Sequence, residues 1–129
     1  MASIFTKVID REIPGHIVHE DDQHIAILDI NPNTTGHTLC IPKKEVNKIF
    51  DLSESEYLDL MSFSRKVAIA LEKAVPCKRI GISVIGLEVP HVHVHLIPLH
   101  NMDDIRFEKK VSLNSEDFKI LIEKIQSYL

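Results

Sequence analysis

The chain has 129 residues, of which 44% are hydrophobic and 26% charged, and this balance is typical of a globular domain with a sizeable core. Its net charge is −4 and it contains no basic block, which argues against DNA or RNA polymers as partners but leaves room for a single nucleotide. No run approaches the ~18 apolar residues of a membrane helix, and the first fifteen residues show no signal peptide. We therefore expect a cytoplasmic protein with no membrane partner.

Apolar and turn-forming residues follow each other in blocks that predict one domain over residues 1–129. In chain order we expect a short helix over 3–10, strands over 16–20, 24–30 and 37–42, a long helix between Ser53 and Pro76, strands over 78–85 and 91–99, and a last helix from Asn114 or Ser115. This order of elements favours an α+β fold with an antiparallel sheet of about five strands.

The two later helices have the clearest signals. Ser53 and Glu56 form an S-x-x-E capping box, in which each side chain satisfies a free backbone N–H group at the helix start. Largely apolar positions then recur every three or four residues and predict one buried face on each helix. Those of the long helix are Tyr57, Leu60, Met61, Ser64, Val67, Ala68, Leu71 and Ala74, and those of the last helix are Phe118, Leu121, Ile122, Ile125 and Leu129.

Three histidines alternate with valine in the stretch 90-PHVHVHLIPL-99. Successive side chains of a strand point to opposite faces, so His91, His93 and His95 should share one face with Ile97. The intervening valines would then pack into the core, and the histidine face would meet either solvent or a functional site.

Three interpretations of this face are open. It could be the polar side of a half-exposed strand. It could also hold a metal ion, although neighbouring histidines on a strand lie about 6.7 Å apart and the outer pair about 13 Å apart, so that three of them converge poorly. The third interpretation, which the pattern favours, is catalysis on phosphorus. A neutral imidazole nitrogen of the central residue, His93, would attack a phosphoryl group while an acceptor holds the N–H of its other nitrogen.

Two blocks of the sequence together resemble the histidine triad (HIT) family. One is 91-HVHVHLIP-98 and the other is 11-REIPGHIVHEDDQHIAILDINPNTTGHTLCIPKKEV-46, and with their spacing they cover roughly residues 3–99. The resemblance implies a HIT-like fold whose sheet continues across a homodimer. It also implies a hydrolase or nucleotidyl transferase, without a cofactor, that cleaves at the α-phosphate of purine nucleotides through a nucleotidyl-histidine intermediate. The favoured substrates are nucleoside phosphoramidates or related adenylylated compounds, and dinucleoside polyphosphates are the alternative.

The same resemblance gives roles to individual residues. His93 would be the nucleophile, His95 would hydrogen-bond the phosphate or the leaving group, and His91 would position His93 through its backbone carbonyl. His37, in G-H-T-L, would support the triad, and Asp29 would accept the two ribose hydroxyls, for which a carboxylate is a natural acceptor. The apolar residues that would enclose the purine are Phe5, Val8, Ile30 and Leu39.

The chain departs from the family pattern at two places. Many relatives bind zinc through C-x-x-C near the start and a histidine after I-P-K-K, where this chain has Ser3, Thr6 and Glu45, so we expect no metal. Relatives also carry G-Q-[ST] before the triad, where this chain has Leu87 and Glu88 and therefore lacks those phosphate donors. A nucleotide-binding sensor with weak or no turnover is accordingly the alternative to an enzyme.

Overall fold

The structure is a computed structural model that describes residues 2–129. Its strands form a five-stranded antiparallel sheet in the order β1-β2-β3-β5-β4, which confirms the expected α+β class. The elements in chain order are α1 (Ile4–Ile9), β1 (Ile17–Glu20), β2 (His24–Leu28), β3 (Thr38–Pro42), α2 (Glu54–Ala74), β4 (Arg79–Ser83), β5 (Val94–Leu99) and α3 (Ser115–Gln126). Within residues 2–129, none of the helices combines the length and the apolarity needed to cross a bilayer.

The two faces of the sheet pack against different parts of the chain. Because side chains alternate along a strand, β2 and β3 send one set of residues to each face, and both sets are buried. On one face, Ala26, Leu28 and Cys40 join the apolar residues of α2 and α3, and on the other, Ile25, Ile27, Leu39 and Ile41 join Phe5 and Val8 of α1. His95 is directly opposite Leu39 in the β3–β5 pair, so its side chain lies on the α1 face.

The long helix α2 begins where the sequence predicts. The hydroxyl of Ser53 accepts the backbone N–H of Glu56 at 3.1 Å, and Glu56 in turn accepts the N–H of Ser53 at 2.9 Å. The helix buries its apolar face on the sheet, and α3 packs on α2 and β1. Leu129 was expected to extend the buried stripe of α3, but it is 37% exposed because the helix ends at Gln126.

The last strand is shorter than predicted. It begins at Val94, because the N–H of His91 bonds the carbonyl of Val89 at 2.8 Å and the chain only then enters the sheet. The three histidines are nevertheless buried, with His91 0%, His93 7% and His95 7% exposed. A half-exposed polar strand is therefore the wrong interpretation of this stretch, since its histidine face meets the rest of the protein.

Candidate active site

The ring of His93 lies at the centre of a histidine cluster formed with His37, His91 and His95. Its Nδ1–H donates to the backbone carbonyl of His91 at 2.7 Å. A carbonyl oxygen can only accept, so in the neutral ring the proton is on Nδ1 and Nε2 carries the lone pair. The ring contacts Phe5 and His95 edge to face, with centroids 4.9 Å apart in both pairs. Nε2 is thus the nitrogen of His93 that could act as a nucleophile.

A second chain of hydrogen bonds fixes the proton of His95. The backbone N–H of Asn33 donates to Nδ1 of His37 at 3.0 Å, so His37 keeps its own proton on Nε2. That Nε2 lies 2.9 Å from Nδ1 of His95 and donates to it. His95 consequently carries its proton on Nε2, where the N–H is available to an acceptor.

Burial keeps two of these rings neutral at pH 7. Desolvation first, and then the charges of His95, Lys110 and His93, lower the pKa of His37 to about 3. Desolvation, and then the charges of His93 and Lys110, lower the pKa of His95 to about 4. Asp29 Oδ2 lies 3.7 Å from Nε2 of His37, but this contact is not an ion pair because the ring is uncharged. His95 can therefore offer an N–H to an anion without bringing a charge.

His91 is held by polar groups at the start of α1. Its Nε2–H donates to the carbonyl of Pro42 at 2.7 Å, so its Nδ1 accepts the hydroxyl of Ser3, also at 2.7 Å. Glu45 Oε1 accepts the backbone N–H of Ser3 at 2.6 Å and the hydroxyl of Thr6 at 2.7 Å, and these two bonds lower the Glu45 pKa to about 2. Ser3, Thr6 and Glu45 are thus hydrogen-bonded to one another beside His91.

Of the residues expected to hold the nucleoside, all but Ile30 lie on the α1 side of the sheet. Asp29 is in the turn after β2, which ends at Leu28 and not at residue 30 as predicted. Its side chain is 19% exposed, one of its oxygens accepts the N–H of Asn31 at 2.9 Å, and burial raises its pKa. Of the apolar residues, Phe5, Val8 and Leu39 lie together in the buried α1 cluster, whereas Ile30 is 75% exposed and lies outside it.

The chain after the triad contributes two residues that the sequence patterns did not indicate. The Phe107 ring lies edge-on to His95 at 4.9 Å and to His37 at 6.0 Å between centroids. The Nζ of Lys110 lies 4.9 Å from the Phe107 ring centroid and donates to Oδ1 of Asn33 at 2.7 Å. Neither residue belongs to a periodic segment or a motif, so only the long-range contacts reveal them.

Three side chains of the site could together hold a metal ion. The ligand atoms of Asp29, His37 and His95 all lie within 4.8 Å of one another. In the hydrogen-bonded arrangement, however, Nε2 of His37 carries a proton and Nδ1 of His95 accepts it, so neither lone pair is free. A metal at this place would have to displace that bond and reverse the tautomer that Asn33 sets. The expectation of a metal-free site stays a prediction.

A separate groove of about 760 Å³ lies between the β1–β2 hairpin, α2 and the C-terminus. The rings of His19 and His24 both stack on Phe63 there, with centroids 5.5 Å and 5.0 Å apart. Its lining shares no residue with the histidine cluster.

The fold and the histidine cluster define an α+β protein with a buried imidazole site, and comparison with known proteins gives its family. The HIT domain model matches residues 10–102. The chain therefore belongs to the histidine triad (HIT) family.

Relatives and solved structures agree with this assignment. An uncharacterized HIT-like protein of Borreliella burgdorferi is 35% identical over 127 residues, which cover 92% of this chain and 91% of that protein. The adenosine 5′-monophosphoramidase of Saccharomyces cerevisiae is 36% identical over 98 residues, which cover 75% of this chain and 62% of the yeast protein. The crystal structure of a HIT-like protein from Bartonella henselae matches with a TM-score of 0.85 at 32% identity, over 98% of this chain and 96% of that one.

The bond from Ser3 to His91 should be visible in the stability of the protein. Ser3→Ala removes the donor to a buried ring nitrogen, and Ser53→Ala is the matched control because both serines cap a helix through a 3.1 Å bond from a backbone N–H. We expect Ser3→Ala to lower the free energy of unfolding by about 1–3 kcal/mol more than Ser53→Ala does, measured by urea denaturation. Equal losses in the two variants would contradict this role of Ser3.

Proposed function

We propose that this protein is a nucleotide-binding hydrolase that cleaves purine nucleoside phosphoramidates or related adenylylated compounds at the α-phosphate, with His93 as the nucleophile. The observation that carries the proposal is the 2.7 Å bond from Nδ1 of His93 to the carbonyl of His91, because it leaves the lone pair of Nε2 free to attack. The yeast relative, which is an adenosine 5′-monophosphoramidase, supports the substrate class.

The proposed reaction has two steps. Nε2 of His93 attacks the α-phosphorus, so that an N–P bond forms while the bond from phosphorus to the leaving group breaks. Water then attacks the phosphorus and breaks the N–P bond, which frees His93. Overall, the hydroxyl of water is added to the phosphorus and a proton is added to the leaving group. The Nε2–H of His95 donates to a phosphate oxygen or to the leaving group. Fixed N–H donors of this kind stabilise the developing charge without a metal ion.

The nucleoside would be held on the α1 face of the sheet. In this proposal Asp29 accepts the two ribose hydroxyls, since the N–H of Asn31 occupies only part of its acceptor capacity. Phe5, Val8 and Leu39 would contact one side of the purine. Ile30, which is 75% exposed, offers apolar surface that a bound base would cover.

One feature of the structure favours the alternative, a nucleotide sensor with weak turnover. In the 86–90 loop Leu87 is 89% exposed, and the charge of the Glu88 carboxylate adds to the burial that raises the pKa of Asp29. Glu88 is therefore within electrostatic reach of the proposed ribose carboxylate. A carboxylate at this place repels a phosphate, whereas the family pattern has phosphate donors there. Binding could therefore persist where turnover is slow.

Release of AMP from an adenosine phosphoramidate separates the two functions. We expect the wild-type protein to release AMP with or without a chelator. His93→Ala should reduce this rate by at least about a thousandfold, because it deletes the attacking atom, while AMP binding stays within several-fold of wild type. His100→Ala, at an exposed histidine outside the cluster, is the matched control and should keep the rate. Turnover in His93→Ala would overturn the assignment of the nucleophile, and AMP binding without turnover in the wild type would identify a sensor.

We also propose that the domain spans residues 1–129 and forms a homodimer through β4. Within the described residues β4 has a neighbouring strand on one side only, and Ile82, Val84 and Ile85 at that edge are 53%, 36% and 47% exposed. Such an edge is normally paired or covered, and a two-fold interface is the commonest solution. Sedimentation equilibrium at micromolar concentration should give twice the 14.7 kDa chain mass, and a monomer under these conditions would contradict the proposal.

A further inference from the structure

We propose that Lys110 binds the phosphate of the nucleotide and supplies the positive charge that the 86–90 loop does not provide. This inference rests on the proposed nucleotide site and adds to it a residue from the segment between β5 and α3. The family-type motifs of the sequence end at residue 99, so none of them marks Lys110.

The backbone around Lys110 is fixed against the turn that follows β2. The N–H of Val111 donates to the carbonyl of Pro32 at 3.0 Å, and Nδ2 of Asn33 donates to the carbonyl of Asp104 at 3.0 Å. The Nζ of Lys110 itself donates to Oδ1 of Asn33 at 2.7 Å. The ammonium group is therefore held at the same turn whose backbone orients His37.

The side chain of Lys110 stands beside the reacting end of the site. Its Nζ lies 4.9 Å from the ring centroid of Phe107, and the edge of that ring packs against His95 at 4.9 Å. Its charge opposes the burial that raises the pKa of Asp29, and it adds to the burial that lowers the pKa of His37 and His95. From one position, the charge of Lys110 thus reaches the proposed ribose carboxylate and both neutral rings.

The charges of the site explain why a cation is needed there. The rings of His37 and His95 are neutral, so the free Nε2–H of His95 brings no charge, while Asp29 and Glu88 bring carboxylates. A bound phosphate would add further negative charge. A lysine ammonium has three donors, of which the bond to Asn33 uses one, so Lys110 can still donate to a phosphate oxygen.

A purely structural role makes a different prediction. If Lys110 only tethers Asn33, and through it His37, then its charge is irrelevant. Lys110→Gln removes the charge but keeps an N–H donor for Asn33, and Lys110→Arg keeps the charge. Lys109→Gln, at the exposed neighbouring residue, removes the same charge from the same loop and is the matched control.

Binding titrations of AMP and adenosine against these variants test the inference. We expect Lys110→Gln to weaken AMP binding roughly tenfold. This is the low end of the range for losing a hydrogen bond to a charged group, because solvent screens the charge of the exposed Lys110. Adenosine binding should change less than about twofold, since adenosine has no phosphate. Lys110→Arg should retain most of the AMP affinity, and Lys109→Gln should change neither ligand. Asp29→Ala serves as the comparison, because it should weaken AMP and adenosine alike through the ribose.

The remaining outcomes separate this inference from the proposed function. Equal weakening of AMP and adenosine in Lys110→Gln, or no weakening of either, would overturn the role of Lys110 while leaving the nucleotide site in place. Failure of the wild-type protein to bind AMP and adenosine would overturn both proposals. A steeper loss of AMP affinity with added salt in the wild type than in Lys110→Gln would support the inference independently.

Discussion

The hydrogen bond from Nδ1 of His93 to the carbonyl of His91 is the constraint on which the chemistry of this site depends. It decides which ring nitrogen carries the proton and which carries the lone pair, and it sets the orientation of the ring. The carbonyl belongs to a residue whose own side chain is anchored twice, to Pro42 at the end of β3 and to Ser3 at the start of α1. The position of the proposed nucleophile therefore follows from the packing of α1 against the sheet.

Backbone groups determine the tautomers throughout the histidine cluster. The carbonyl of Pro42 sets the proton of His91, the carbonyl of His91 sets that of His93, and the N–H of Asn33 sets that of His37 and hence of His95. Backbone amides do not titrate in the physiological range, and the pKa values of His37 and His95 are lowered to about 3 and about 4. The donor and acceptor positions of His37 and His95 are consequently stable across neutral pH.

Much of the fold and part of the site could be predicted from the sequence, because local patterns carry them. The S-x-x-E signal located the start of α2, and the alternation of His and Val correctly placed one histidine face, although β5 begins only at Val94. The predicted strand began three residues too early, at His91, because a local turn to Val89 precedes the sheet. Alternation of residue types alone cannot distinguish this turn from the start of a strand. The sequence shows that positions 3 and 6 hold no cysteine. It could not predict the hydrogen bonds that join Ser3 and Thr6 to Glu45, because these residues are about forty positions apart.

The contribution of Phe107 and Lys110 shows the limit of such prediction most clearly. Both lie in a segment without periodicity, and both reach the site because backbone and Asn33 side-chain hydrogen bonds tie this segment to the turn after β2. The sequence indicated a deficit of phosphate donors at Leu87 and Glu88 but not which residue would compensate for it. The proposed nucleotide site accordingly draws on α1 and on the segment between β5 and α3 as well as on the triad.

Nitrogen-15 chemical shifts of the histidine rings at neutral pH would test these tautomers directly, because they report which ring nitrogen is protonated. The hydrogen bonds predict that His93 is protonated on Nδ1 with a free lone pair on Nε2, and that His95 has the opposite tautomer, protonated on Nε2. A His93 ring protonated on Nε2 would have no lone pair on that nitrogen to attack phosphorus, and would contradict the proposed role of His93 as the nucleophile.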